Sequence, residues 1–174
     1  MNKRLTLIHL IFILLTFVSP LLLGESLFLY VDERTNGKQG PFPPPVKEGI
    51  YNGLFENDFI VFDSGDKQLF DVNWENRVFI PLVNIAREGG ADFIVALKVN
   101  AKEKKKDDEK KSIEIVANYY IVSSTDGKVI GSGRIKDSND KKDDKRNHEL
   151  VGFDVGMKIS DSVAKLINEY LDNL

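Results

Sequence analysis

The sequence predicts a single α/β domain, a mixed sheet of about five strands in the order β-α-β-α-β-β-β-α with helices packed on it. Three observations carry this reading. Apolar runs at residues 27–31 and 59–62 have the length of buried strands and are separated by a helical pattern. Residues 92–101 and 113–123 alternate apolar and polar side chains, and the second stretch runs into an Asp126-Gly127 turn. A helical stripe of apolar residues then closes the chain. Strand–helix–strand units join parallel strands, whereas a tight hairpin adds antiparallel ones, so the sheet is mixed.

The first strand is Leu-Phe-Leu-Tyr-Val at 27–31. Gly40-Pro41-Phe42-Pro43-Pro44-Pro45 then imposes an extended connection, and Pro45 can open a helix. Val46, Gly49, Ile50, Gly53 and Leu54 fall on one face of that helix. Its two glycines lower helix propensity but would let it lie close against the sheet. Phe59 to Phe62 forms the next strand, ended by Asp63-Ser64-Gly65-Asp66. A second helix begins near Pro81, turns Leu82, Ile85 and Ala86 inward and stops at Gly89-Gly90. Phe93, Val95, Leu97 and Val99 share one face of the third strand. Ile113, Ile115, Ala117, Tyr119 and Ile121 share one face of the fourth, which places Tyr119 and Tyr120 on opposite sides. The fifth strand, 129–136, contains Gly131-Ser132-Gly133, small residues suited to a packed helix or a bulge. Val155, Ile159, Val163, Leu166, Ile167, Tyr170, Leu171 and Leu174 define the inner face of the last helix.

Residues 1–26 read as a secretory signal: Lys3 and Arg4, an apolar stretch from Leu5 to Val18, then Ser19-Pro20. The alternative is an uncleaved membrane anchor, since Leu5 to Gly24 could just span a bilayer. Either reading puts the single domain at 27–174 outside the cytoplasm. Cleavage after Gly24 removes Lys3 and Arg4 and takes the net charge from −3 to −5.

The chain has no cysteine, which excludes disulfides, Cys-ligated zinc, a thiol nucleophile and an acylated cysteine. Its acidic balance argues against nucleic acid as a partner. Asp63, Asp66 and Asp71 could offer oxygen ligands to calcium or magnesium, but their spacing is not that of an EF-hand and a strand-end turn accounts for them. Ser64 and Ser132 lack a nucleophile elbow, and neither Gly-x-Gly-x-x-Gly nor a Walker A motif occurs. No catalytic set, metal site or cofactor is expected.

If the first three strands are parallel, the connections 32–45, 63–79, 102–112 and 137–149 all meet at the strands' carboxyl edge, where ligands of open α/β sheets tend to bind. The segments 102–112 and 137–149 are dense in both charge signs and read as solvated loops dispensable for folding. Phe42, Phe70 and Trp74, flanked by Asp63 and Asp66, are the candidate partner-binding surface at that edge. The alternative for Phe70 and Trp74 is a satellite core beneath the loop.

Three stretches carry a resemblance: residues 50–63; residues 86–99, with Gly90-Ala91-Asp92 before an apolar strand; and the hairpin 113–136, with Thr125-Asp126-Gly127-Lys128-Val129, followed by the terminal helix. Together they resemble bacterial envelope domains of the TolB amino-terminal, LpoB and CsgG type. The resemblance implies a non-enzymatic, exported accessory or assembly module that binds another envelope protein. The envelope lipoproteins of that group carry an acylated cysteine that this chain lacks. Two alternatives stand beside this reading. One is a carboxylate-dependent hydrolase of envelope material, which would need Asp63 and Asp66 to converge in a cleft. The other is a structural subunit tethered by an uncleaved amino-terminal helix.

Overall fold

A computed structural model describes residues 24–38, 45–63, 72–105, 111–140 and 144–174. It contains five strands, β1 (Ser26–Thr35), β2 (Ile60–Asp63), β3 (Phe93–Lys105), β4 (Lys111–Ser123) and β5 (Val129–Ser138). Helix α1 is Val46–Glu56, α2 is Ile80–Glu88 and α3 is His148–Leu171. The element order is the expected one. In the sheet the strands lie β2-β1-β3-β4-β5, with β1 parallel to both β2 and β3 and the β3-β4-β5 pairings antiparallel.

The alternation of side chains divides the sheet into two faces. On one, Leu27, Leu29, Phe93, Val95, Leu97, Ile115, Tyr119 and Ile121 pack beneath α1 and α3. On the other, Phe28, Tyr30, Ile94, Ala96 and Val122 pack beneath α2 and the segment before it. Tyr119 belongs to the first core and Tyr120 borders the second, as alternation requires.

The glycines of α1 serve a different neighbour from the one expected. They meet α3, not the sheet: a Cβ on Gly49 would run into the Phe153 carbonyl, and one on Gly53 into the Ser160 hydroxyl. From the other side, a Cβ on Gly156 would run into the Val46 carbonyl. Gly49 and Gly156 thus let two helices that share one sheet face touch backbone to backbone, and Gly53 makes room for the Ser160 side chain.

Local chemistry explains the Gly90-Ala91-Asp92 stretch. Gly90 has a φ of +76°, a turn conformation that favours glycine. Ala91 is buried. The Asp92 carboxylate accepts from the Ser26 backbone N–H at 2.9 Å and from its hydroxyl at 2.6 Å, pinning the start of β1 to that of β3. Arg87 donates to the carbonyls of Ser124 and Thr125 at 2.6 and 2.7 Å, tying α2 to the β4–β5 turn. There Gly127 adopts φ +72°, as the Asp-Gly turn requires.

Several boundaries move. Strands β3 and β4 stay paired as far as Lys105 and Lys111, so residues 102–105 and 111–112 of the expected charged loop belong to the strands. Charged side chains alternate across the ladder there, and opposite charges meet: Glu114 on β4 receives Lys104 from β3 and Lys136 from β5. The loop expected at 137–149 contracts likewise, because β5 continues to Ser138 and α3 begins at His148, seven residues before the first residue of its expected stripe. Asn147 caps α3 by accepting the Leu150 N–H at 2.8 Å. Val155, Ile159, Val163 and Ile167 are fully buried, whereas Leu174 lies beyond the helix and is 85% exposed.

Candidate functional site

The carboxyl edge of the parallel strands gathers the ends of β1, β2, β3 and β5 and the starts of all three helices. On the α1 face of that edge, Glu33 accepts a hydrogen bond from the Lys47 backbone N–H. Burial pushes its carboxyl up to about 7, against the smaller opposing pull of Lys47. Its Oε1 is buried without a hydrogen-bond partner among the described residues. The Lys47 ammonium pairs instead with Asp63. Tyr51, one turn further along α1, donates to the same carboxylate, and burial together with Asp63 raises its phenol well above the ordinary value. Asp63 is therefore a link between β2 and α1. Beside it, a groove of about 500 Å³ between the amino ends of α1 and α3 is lined by Pro45, Glu48, Lys145, Asn147, Leu150 and Phe153.

The second charged segment holds an arginine hub. Arg146 reaches Asp154 on α3 at 2.8 Å, Asp144 at 2.7 Å and Asp137 on β5 at 3.1 Å. It also donates to the Ser138 carbonyl at 3.2 Å. The Asp137 carboxyl is held far below the usual carboxylate range by Arg146 first and by Lys158. Asn139 extends the link, accepting the Ile113 N–H at 2.8 Å and donating to the Arg146 carbonyl at 2.9 Å. The ends of this segment are a structural clamp joining β5 to α3, contrary to the expectation that 137–149 is dispensable. Composition alone could not distinguish a clamp from a solvated loop, because both are rich in Asp, Lys and Arg.

Trp74 lies on the opposite face. Residues 72–79 close into a narrow turn, with Asn73 bridged to Val78 and Arg77 at φ +53°. That turn lays the Trp74 ring against Tyr30 (centroids 6.2 Å), Phe79 (6.0 Å) and Tyr120 (6.2 Å). Partly buried at the rim of the second core, Trp74 takes the satellite-core position. Asp63, registered with Leu29, faces α1. The structure therefore places Asp63 and Trp74 on opposite faces of the sheet and does not bring them together. Phe42, Asp66 and Phe70 lie outside the described residues, as do the metal-ligand candidate Asp71 and the nucleophile candidate Ser64. Among the described residues no cluster of three or more His, Asp or Glu could hold a metal ion.

Beyond the row Tyr30–Ala96–Tyr120, the α2 face of the sheet is polar. Its side chains come in registered rows: Asp32, Lys98, Asn118 and Arg134, then Arg34, Asn100, Val116 and Lys136, then Lys102, Glu114 and Ser138. No described helix packs over these rows. The alternation of β3 and β4 contained the signal, since the side not used for the core holds Lys98, Asn100, Lys102, Glu114 and Asn118.

Among the described residues, no helix is long and apolar enough to cross a membrane. No protein-family model matches the chain, and no curated protein matches it. Solved structures do. The fold matches PelC, a dodecamer from Paraburkholderia phytofirmans, at a TM-score of 0.54 and 12% identity, over 79% of this chain and 86% of that one. It matches the lipoprotein GNA1162 from Neisseria meningitidis at a TM-score of 0.50 and 15% identity, over 83% of this chain and 99% of that one. The LpoB carboxy-terminal domain from Salmonella enterica is matched at a TM-score of 0.41 and 19% identity, over 66% and 82% of the two chains. TolB from Acinetobacter baumannii is also among the matches. The chain thus shares its architecture with PelC and with the lipoprotein GNA1162, and the LpoB and TolB domains named by the sequence resemblance are among the solved structures it matches.

Proposed function

We propose that this chain is an exported, non-enzymatic accessory or assembly module of the bacterial cell envelope that acts by binding another envelope protein. The observation that carries the reading is the correspondence of nearly the whole of GNA1162, a bacterial lipoprotein, with this domain. The amino-terminal pattern of Lys3, Arg4 and an apolar stretch agrees with export. At the carboxyl edge, Asp63 is engaged by Lys47 and Tyr51, and Asp137 and Asp144 by Arg146, so these carboxylates hold elements of the fold together.

The test is fractionation of cells making the full chain, followed by amine-reactive crosslinking in intact envelopes and mass spectrometry of the adducts. The expected result is an extracytoplasmic chain joined to one recurrent envelope protein. Recovery in the cytoplasm, or the absence of any discrete adduct, refutes the proposal. The mass of the mature amino terminus separates a cleaved signal from a retained anchor.

A further inference from the structure

Among the described residues, the polar half of the α2 sheet face carries more cations than carboxylates on a chain whose net charge is −3; Asp32 within it is buried, whereas Lys102, Ser132, Arg134 and Lys136 are exposed. The rows beyond Tyr30–Ala96–Tyr120 carry Arg34, Lys98, Lys102, Lys104, Arg134 and Lys136. Among the described residues, three carboxylates stand against these six cations. Asp32 pairs with Arg34, Glu114 with Lys104 and Lys136, and Asp140 reaches Lys104 from the following loop. Among the described residues, Lys98, Lys102 and Arg134 have no carboxylate within ion-pair distance. Arg77 adds a further positive charge at the border, its guanidinium 5.7 Å from the Tyr120 ring. Cations two residues apart along one strand, such as Arg134 and Lys136, repel one another, and a complementary anion relieves that cost.

We infer that this sheet face, through its exposed side at Lys102, Arg134 and Lys136, is the docking surface for an acidic segment of the envelope protein bound by the chain, an inference that rests on the protein-binding reading above. The spacing suits an extended polypeptide. Arg134 and Lys136 point the same way from β5 about 7 Å apart, the interval at which alternate side chains recur along an extended chain. Lys98 and Arg134 flank Asn118 across two strand spacings, about 10 Å. Asn100, Asn118 and Ser132 supply amides and a hydroxyl between the charges, and Val116 and Tyr120 supply apolar area.

The experiment measures binding of a fluorescein-labelled twelve-residue peptide of alternating Glu and Ala to the full chain. It compares Lys102→Gln/Arg134→Gln with Lys128→Gln/Lys165→Gln, a control with the same charge change at exposed sites off this face. Thermal melts verify folding of both. At low salt the face variant should bind at least fivefold more weakly than the unaltered chain and the control within twofold, with affinity falling as salt rises. Equal binding by the two variants overturns the surface assignment. Tighter binding to vesicles of phosphatidylcholine and phosphatidylglycerol, or to a twelve-nucleotide single-stranded DNA, overturns the acidic-polypeptide assignment. In envelopes, p-benzoylphenylalanine at Asn118 should crosslink the recurrent partner. If that partner is captured through amine crosslinking but not from Asn118, the protein-binding reading stands and this surface is wrong. If the unaltered chain captures none, the reading fails and takes the proposal with it.

Discussion

The α1–α3 contact gives the sharpest test of the packing, through Gly156→Ala. A methyl group at this position would stand 2.8 Å from the Gly49 Cα and 2.8 Å from the Ile50 nitrogen, and closer still to the Val46 carbonyl oxygen. Nonbonded carbons settle at about 3.5–4.0 Å, so the helices would have to separate by roughly 1 Å. All three obstructing atoms belong to the α1 backbone, so no side-chain rotation relieves the overlap. Separation would loosen Ile50, Leu54, Val155 and Ile159, which fill the core beneath both helices. Overpacking of this kind costs about 1–3 kcal/mol and more where the backbone resists. The better helix propensity of alanine returns up to about 1 kcal/mol. Taking the upper end of that cost, a net loss of about 2 kcal/mol follows, and a domain of this size should melt roughly 4–8 °C lower. Gly53→Ala supplies an internal comparison, because its new methyl would meet mainly the Ser160 side chain. Adding Ser160→Gly should recover part of the stability lost in Gly53→Ala. The assay is urea denaturation of the purified domain, with the slope checked for constancy. A Gly156→Ala protein as stable as the parent, or more so, would refute the close contact and the role given to the glycines.

Glu33 should make stability fall as pH rises. Its folded carboxyl titrates near 7 and its unfolded one near 4.5, so between those values the folded state holds the extra proton. Stability should therefore decline by up to about 3 kcal/mol from pH 4.5 to 7 and level off above, and Glu33→Gln should flatten that slope in denaturation series across pH. Arg146→Met should cost about 2–4 kcal/mol, since it leaves Asp137, Asp144 and Asp154 crowded without their common partner; a change under half a kcal/mol in the same assay would show the clamp to be ornamental. Trp74→Ala should lower stability by about 2–4 kcal/mol because its ring contacts Tyr30, Phe79 and Tyr120, and an unchanged melting temperature combined with lost partner capture would return it to the role of interface anchor.

Much of the fold was legible in the sequence because burial leaves a periodic trace in one dimension. Alternation along β3 and β4 separated Tyr119 from Tyr120, and the stripe at Val155, Ile159, Val163 and Ile167 is the buried face of α3. The Asp126-Gly127 turn and the stop at Gly90 followed from backbone sterics that depend on neighbouring residues alone. Periodicity says that a face is covered and is silent about what covers it. Only the tertiary structure decided that Gly49 and Gly53 meet α3 instead of the sheet, since that depends on two helices landing side by side on one face. Strand order and register were needed to show that Asp63 and Trp74 stand on opposite faces, although fewer than a dozen residues separate them in the chain. The same order assembled the cationic surface. Arg34, Lys98 and Arg134 are scattered along the sequence, and they come onto one face only because β1, β3, β4 and β5 lie side by side in register.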